Sequence, residues 1–213
     1  MNTPETPSVM LKSLRHDLRL IAGLIAENCR VLDVGCGDGA LLDYLVNHKG
    51  SDARGIELSQ NGVNACVSRG LSVIQGDADT DLLDYPEQAF DYVVLSRTLQ
   101  ATRQPEVVLS NLVRIGKHAL VSFVNFGHWK KRIELLFRGR FPVNGQMVNW
   151  YNSQDIHPCT ILDFVMICKN LGLTVEEAMT VDSQGTKKTI STNGISANLC
   201  GEQAIFLLSR ERF

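Results

Sequence analysis

The chain is predicted to fold as a doubly wound α/β domain, a mostly parallel sheet of seven strands finished by an antiparallel edge strand. Three observations predict it. Residues 31–34 form an apolar run interrupted only by Asp33, and Gly35, Cys36, Gly37, Asp38 and Gly39 follow as a turn before the amphipathic stretch Leu41, Leu42, Leu45 and Val46. Further apolar runs of strand length, at 52–58, 71–75, 90–96 and 117–124, alternate with helical patterns, as in a parallel sheet. Two last runs, 173–181 and 203–209, read as antiparallel neighbours at the sheet edge.

Composition bounds the function. With 213 residues, 44% hydrophobic and 21% charged, the chain suits one globular domain, 11–213, behind a flexible tail at 1–10. A net charge of -2 argues against a general nucleic-acid binder, while local basic patches stay open. The N-terminus has no apolar signal segment, and no run of eighteen uncharged apolar residues exists, so no membrane span and a cytoplasmic protein are expected. Six cysteines without a C-x-x-C pair read as reduced thiols, with no metal site.

The glycine turn is the organising element. Glycines there let a ligand approach the backbone, and the N–H groups of the following helix face it. Gly35, Gly37 and Ala40 meet the loose dinucleotide pattern, which alone is weak. Asp33 is more informative: a carboxylate at the strand end accepts from a ligand ammonium, which S-adenosylmethionine has and NAD lacks, and it sits badly beside a pyrophosphate. The alternative is that Asp33 only caps the turn.

The remaining elements follow in order. A first helix begins near Lys12 and runs through Glu27 on Leu11, Leu14, Leu18, Ile21 and Ile25, with Arg15 or His16 placed to reach a ligand carboxylate or to form a solvated basic face. Glu57 ends the second strand eighteen residues after Gly39, near the spacing at which such folds set an acid on ribose hydroxyls, and Leu58 and Ser59 lead into a helix over 62–69. After the third strand, Asp77 and the Ala78 N–H suit an adenine edge, and Asp77 equally suits a helix N-cap. The fourth strand, 90–96, is central by its apolar content, and opens at Ser96, Arg97, Thr98, Leu99 and Gln100 on the crevice where an acceptor would be met. The Asn-Pro-Pro-Tyr arrangement that holds a base amine is missing there.

Pro105 starts a helix, and 117–124 is the fifth strand. Within 125–140, Trp129, Ile133, Leu136 and Phe137 share a helical face while Lys130, Lys131, Arg132, Arg138 and Arg140 charge the rest. This basic amphipathic helix is a lid, a docking surface for an acidic partner, a membrane-surface contact or a packed helix solvated outside. The loop 148–160 mixes Trp150, Tyr151 and His157 as a pocket does, and Thr160 with Asp163 starts a helix over 161–171 that ends at Gly172. His157 and Cys159 are too poorly placed for a nucleophile pair. Residues 182–202 read as a flexible loop.

With these residues placed, the chain resembles the methionine biosynthesis protein MetW family, within the class I S-adenosylmethionine-dependent methyltransferases, which are Rossmann-like. VLDVGCGDG (31–39) belongs to that superfamily; VIQGDAD (73–79), LSRTLQA (95–101), VSFVNFGHW (121–129), RGRFPV (138–143) and WYNSQDIHPCT (150–160) are narrower, and the match weakens after Leu173. The resemblance implies that Asp33, Gly35 and Gly37 meet the methionine moiety of S-adenosylmethionine or S-adenosylhomocysteine. It likewise implies Glu57 at the ribose and Asp77 with Ala78 at the adenine, and Cys36, Leu58 and Ser96 beside these positions are further cofactor-binding candidates. It also implies a bacterial role in methionine biosynthesis beside homoserine O-acyltransferase, without a known methyl acceptor. The alternative is an active methyltransferase on a small acidic or hydroxylated metabolite, with His128 or His157 as proton acceptor.

Overall fold

Strand β1 (Arg30–Val34) sits at the centre of the fold because four of its five residues are buried. The computed structural model describes residues 11, 13–143, 149–153, 155–191 and 195–210. The tail at 1–10, Lys12, Val148, Gln154 and part of the 182–202 loop lie outside them.

In chain order the elements are α1 (His16–Leu24), β1, α2 (Ala40–Lys49), β2 (Asp52–Glu57), α3 (Gln60–Ser68), β3 (Ser72–Gln75), β4 (Phe90–Ser96), α4 (Pro105–Ile115), β5 (Gly116–Val124), α5 (Trp129–Arg138), α6 (Ile161–Asn170), β6 (Leu173–Val181), β7 (Lys187–Thr189), α7 (Ile195–Cys200) and β8 (Gln203–Arg210). One sheet orders them β3-β2-β1-β4-β5-β8-β6-β7. Strands β1 to β5 pair in parallel, and β8 runs antiparallel between β5 and β6. The predicted class therefore holds, with eight strands rather than seven. The added strand, β7, pairs with the end of β6 inside the stretch expected to be a flexible loop, which also holds α7. Its polar run KKT carries no apolar signal of a strand, and partnering with Met179–Val181 supplies what its sequence does not.

Side-chain alternation along β1 sorts the core into two layers. Leu32 and Val34 join the layer under α4 and α6, where Phe123, Phe164 and Phe206 pack with ring centroids 4.6–6.0 Å apart. Val31 points the other way, into the layer of Leu14, of Leu18 and Ile21 from α1, and of Leu41 and Leu45 from α2. By the two-residue period Asp33 shares that second face. A carboxylate is thus delivered into an apolar layer at the strand end.

The first helix differs from its expected extent. Arg15 adopts φ -52°, ψ 150°, outside the helical region, so the regular helix starts at His16 and ends at Leu24. That break frees the Arg15 side chain to turn toward the sheet.

Candidate functional site

A cavity of about 320 Å³ opens at the carboxyl end of β1, lined by Leu14, Arg15, Leu18, Asp33, the glycine turn and Ser96. It lies where the strand order reverses between β1 and β4, the crevice in which doubly wound sheets hold ligands. Its size is at the lower end of the ~300–1,000 Å³ typical of small-molecule clefts.

Asp33 is 2% exposed, and its Oδ1 has no hydrogen-bond partner. Burial pushes its carboxyl up to about 7, against the pull of Arg15 and with a smaller push from Glu57. The turn-cap reading is not supported, because no backbone N–H of the turn reaches this carboxylate. Gly35 and Cys36 N–H donate instead to Ile56 O at 2.8 and 3.1 Å. Gly35, Gly37 and Gly39 all have φ between 60° and 78°. At Gly37 nothing stands within 4 Å of an added Cβ, so its backbone faces open space. At Gly35 a Cβ would fall on the Thr98 hydroxyl. Gly35→Ala therefore combines a left-handed backbone with a clash and is expected to cost on the order of 2–4 kcal/mol, read as a lower urea midpoint at unchanged slope.

Glu57 is committed on both oxygens: Oε2 accepts from Gly37 N–H and Oε1 from Ser59 N–H, each at 2.8 Å. The acid predicted to meet a ribose thus also ties the glycine turn to the start of α3. Each oxygen keeps a second lone pair for a hydroxyl. Leu58 beside it is 65% exposed, an open apolar surface. Asp77 is held more tightly than its sequence suggests. Its Oδ2 accepts from Arg103 Nη2 at 2.6 Å and its Oδ1 from Asp79 N–H at 2.9 Å, next to the half-buried Ala78. An adenine amine at Asp77 therefore competes with Arg103. Asp79, which takes Arg103 and Gln104 N–H at 2.9–3.0 Å, is held below the usual carboxylate range by these bonds in spite of burial.

Ser96 belongs to a buried polar cluster that sequence reading did not find. Asp17, 1% exposed, accepts through Oδ2 from Ser96 at 3.1 Å, Ser122 at 3.4 Å and Arg15 Nη2 at 3.2 Å, and through Oδ1 from Arg15 Nε at 3.3 Å. Arg15 also donates to Ser96 Oγ at 2.9 Å, and Arg97 Nε stands 3.8 Å from Asp17. The available signal was Asp17 itself, an acid on the apolar stripe Leu14, Leu18, Ile21 at helical spacing. Arg15 faces the cavity; His16 packs against Gly185 instead.

The two histidine candidates separate. His128 is 5% exposed and caps α5, its Nδ1 accepting from Lys130 N–H at 3.3 Å, and burial lowers its pKa. Neither histidine lines the cavity at the glycine turn. His157 is exposed, with Nδ1 2.8 Å from Thr102 O. A carbonyl only accepts, so Nδ1 carries a proton, and in the neutral ring Nε2 then keeps its lone pair. Cys159 is pushed up to about 12 by burial, which leaves a thiol with no nucleophilic character. The Asn125 amide is fully used inside, donating to Asn198 O and Gly201 O at 2.8 Å and accepting from Gly127 and Ile161 N–H. The narrow N-F-G-H-W block is therefore a joint between β5, α5, α6 and α7.

Helix α5 has no buried residue, and Leu136 and Phe137 are 75% and 78% exposed. Lys131 lies 4.3 Å from the Phe126 ring centroid, and Arg132 Nε donates to Gly127 O at 2.6 Å. These two cations brace the helix, while Arg138 and Arg140 stay on the surface. Among the described residues no helix is long and apolar enough to cross a membrane.

Comparison with known proteins bears on the family and the fold. The bifunctional methionine biosynthesis protein MetXA/MetW of Rhodopirellula baltica is 29% identical over 98% of the chain, which covers 34% of that protein. The chain spans about a third of the length of the curated relatives it matches. Among solved structures, a Thermotoga maritima S-adenosylmethionine-dependent methyltransferase, described as a possible histamine N-methyltransferase, superposes with a TM-score of 0.68 at 17% identity, covering 92% of this chain and 88% of that one. The [4+2]-cyclase SpnF superposes with 0.64 at 18% identity, covering 92% and 81%. At these identities the likeness is one of fold, shared by proteins titled as different enzymes. The family model for methionine biosynthesis protein MetW matches residues 15–208, and the chain belongs to that family.

Proposed function

We propose that this protein binds S-adenosylmethionine or its demethylated product at the glycine turn and, in the cytoplasm, supports or regulates homoserine O-acyltransferase by contact. The ligand reading is carried by Asp33: a buried carboxylate oxygen without a partner, at the wall of a cavity floored by glycine backbone, fits an ammonium group. Arg15, whose Nη1 makes none of the bonds to Asp17 and Ser96, suits the ligand carboxylate, and Glu57 the ribose hydroxyls. The bound cofactor would supply a methyl group on a sulfonium. The partner reading is supported by the fused relative, in which a MetXA function shares one chain with the region similar to this protein, a linkage that raises effective concentration. A ligand that binds the free and partnered states unequally would couple the two events reciprocally.

Calorimetry with S-adenosylmethionine, S-adenosylhomocysteine and NAD tests the ligand, with the sulfonium pair binding and NAD not. The exposed face of α5 is the expected contact. Because Lys131 and Arg132 brace the helix, the clean substitutions are Arg138→Glu, Arg140→Glu and Phe137→Ser. Together they are expected to weaken acyltransferase binding about tenfold or more and leave cofactor affinity within about twofold. Unchanged partner binding would remove α5 from the interface.

A second reading, methyl transfer to a small acidic or hydroxylated acceptor, is favoured by His157. Its tautomer leaves Nε2 as a proton acceptor beside the turn that follows β4.

A further inference from the structure

We propose that Arg97 anchors a second ligand, binding the carboxylate of a small monocarboxylic acid at the crevice mouth beside the glycine-turn cavity. Arg97 follows β4 directly and is held at φ 59° with its N–H donating to Ser122 O at 2.9 Å. A side chain in that left-handed region costs roughly 1–2 kcal/mol, and such strain gathers at ligand sites. Its guanidinium, 37% exposed, stands 3.8 Å from Asp17 but makes no hydrogen bond among the described residues. Asp17 is already taken by Arg15, Ser96 and Ser122, so it orients Arg97 without satisfying its fork. Burial opposes the charge on Arg97, and a guanidinium does not escape by losing its proton, so an arriving anion relieves that cost.

The local charge selects the anion. Arg15 and Arg97 face Asp17 and the field of Asp155, so the set is close to neutral. A planar fork in near-neutral surroundings matches a monocarboxylate better than a dianion. With Arg15 given to the cofactor carboxylate, Arg97 remains for a different molecule. The site itself stands apart from the cofactor reading, whereas its coupling to the sulfonium rests on it.

The test follows the Arg97 Nε–H resonance of the whole chain by nuclear magnetic resonance during titration with acetate, propionate and inorganic phosphate. A saturable shift is expected with the monocarboxylates, with weaker binding of phosphate. Arg97→Asn, which suits the left-handed backbone, should weaken carboxylate binding about tenfold or more, read from the Thr98 and Ser122 amides. Arg97→Lys, which keeps the charge without the fork, should fall between. Bound S-adenosylmethionine should tighten propionate roughly fivefold relative to S-adenosylhomocysteine, because only the former is a sulfonium. Absence of a shift at Arg97, or equal carboxylate binding by Arg97→Asn, overturns the site; tighter phosphate binding overturns its ligand class. If neither cofactor binds while propionate still shifts Arg97, the cofactor reading fails and the carboxylate site stands.

Discussion

Asp33→Asn is expected to lower the affinity for S-adenosylmethionine by about 10- to 100-fold, the effect of losing one charge-assisted bond worth ~1.5–3 kcal/mol. The pH dependence is the sharper signature. With the carboxyl at about 7 in the ligand-free protein, an ammonium ligand must displace a proton below that pH. Affinity should therefore fall by up to about tenfold per unit as pH drops below 7, and level off above it until the ligand ammonium itself loses its proton. Calorimetry in buffers of different ionisation enthalpy would register the released proton, and Asp33→Asn would abolish it. The same group makes the ligand-free fold pH-dependent. Its folded value, about 7, exceeds the ordinary 3.8, so the folded state holds the extra proton across that window. This contribution is fully present below about pH 4 and is lost as pH rises through 7. Urea unfolding should show wild type losing stability across the window and Asp33→Asn losing less, with the variant the more stable above pH 7 by ~1–3 kcal/mol. A flat wild-type profile would mean that Asp33 is ionised and paired.

Glu57→Ala is expected to reduce binding of both S-adenosylmethionine and S-adenosylhomocysteine about 100-fold or more, since a cis-diol loses two charged acceptors at once. It also strips Gly37 and Ser59 N–H of their acceptor, so the ligand-free melting temperature falls as well. Two measurements separate these effects. Equal losses for both ligands together with a lower melting temperature fit the dual role, whereas a lower melting temperature with unchanged affinity would make Glu57 a structural tie alone. Glu57→Gln should fall between, because its amide oxygen replaces one acceptor while its NH2 meets a backbone donor.

The glycine turn, the acid after β2 and the central position of β4 were all legible because they rest on local chemistry. A left-handed turn calls for glycine, and a strand buried on both faces calls for a continuous apolar run. The histidines were not legible in the same way. His128 and His157 look alike in sequence, yet one caps a helix out of the cavity and the other presents a free ring nitrogen. Asn125 opens the segment read as a basic amphipathic helix, and nothing in its spacing shows that it is wholly buried among backbone groups from α6 and α7. Asp77 similarly hides its partner, since Arg103 lies 26 positions away.

By itself the sequence determined the doubly wound class, the glycine turn after β1 and the family, since periodicity and turn chemistry act between neighbours in the chain. Tertiary structure alone decided that Asp33 is left without a partner, that Glu57 clamps two backbone N–H groups and that Arg97 is left with an open fork. Each of these depends on groups 2 to 105 positions apart meeting at one strand edge. Burial and pairing there set proton affinity and charge, and neither property belongs to a residue until its neighbours are in place.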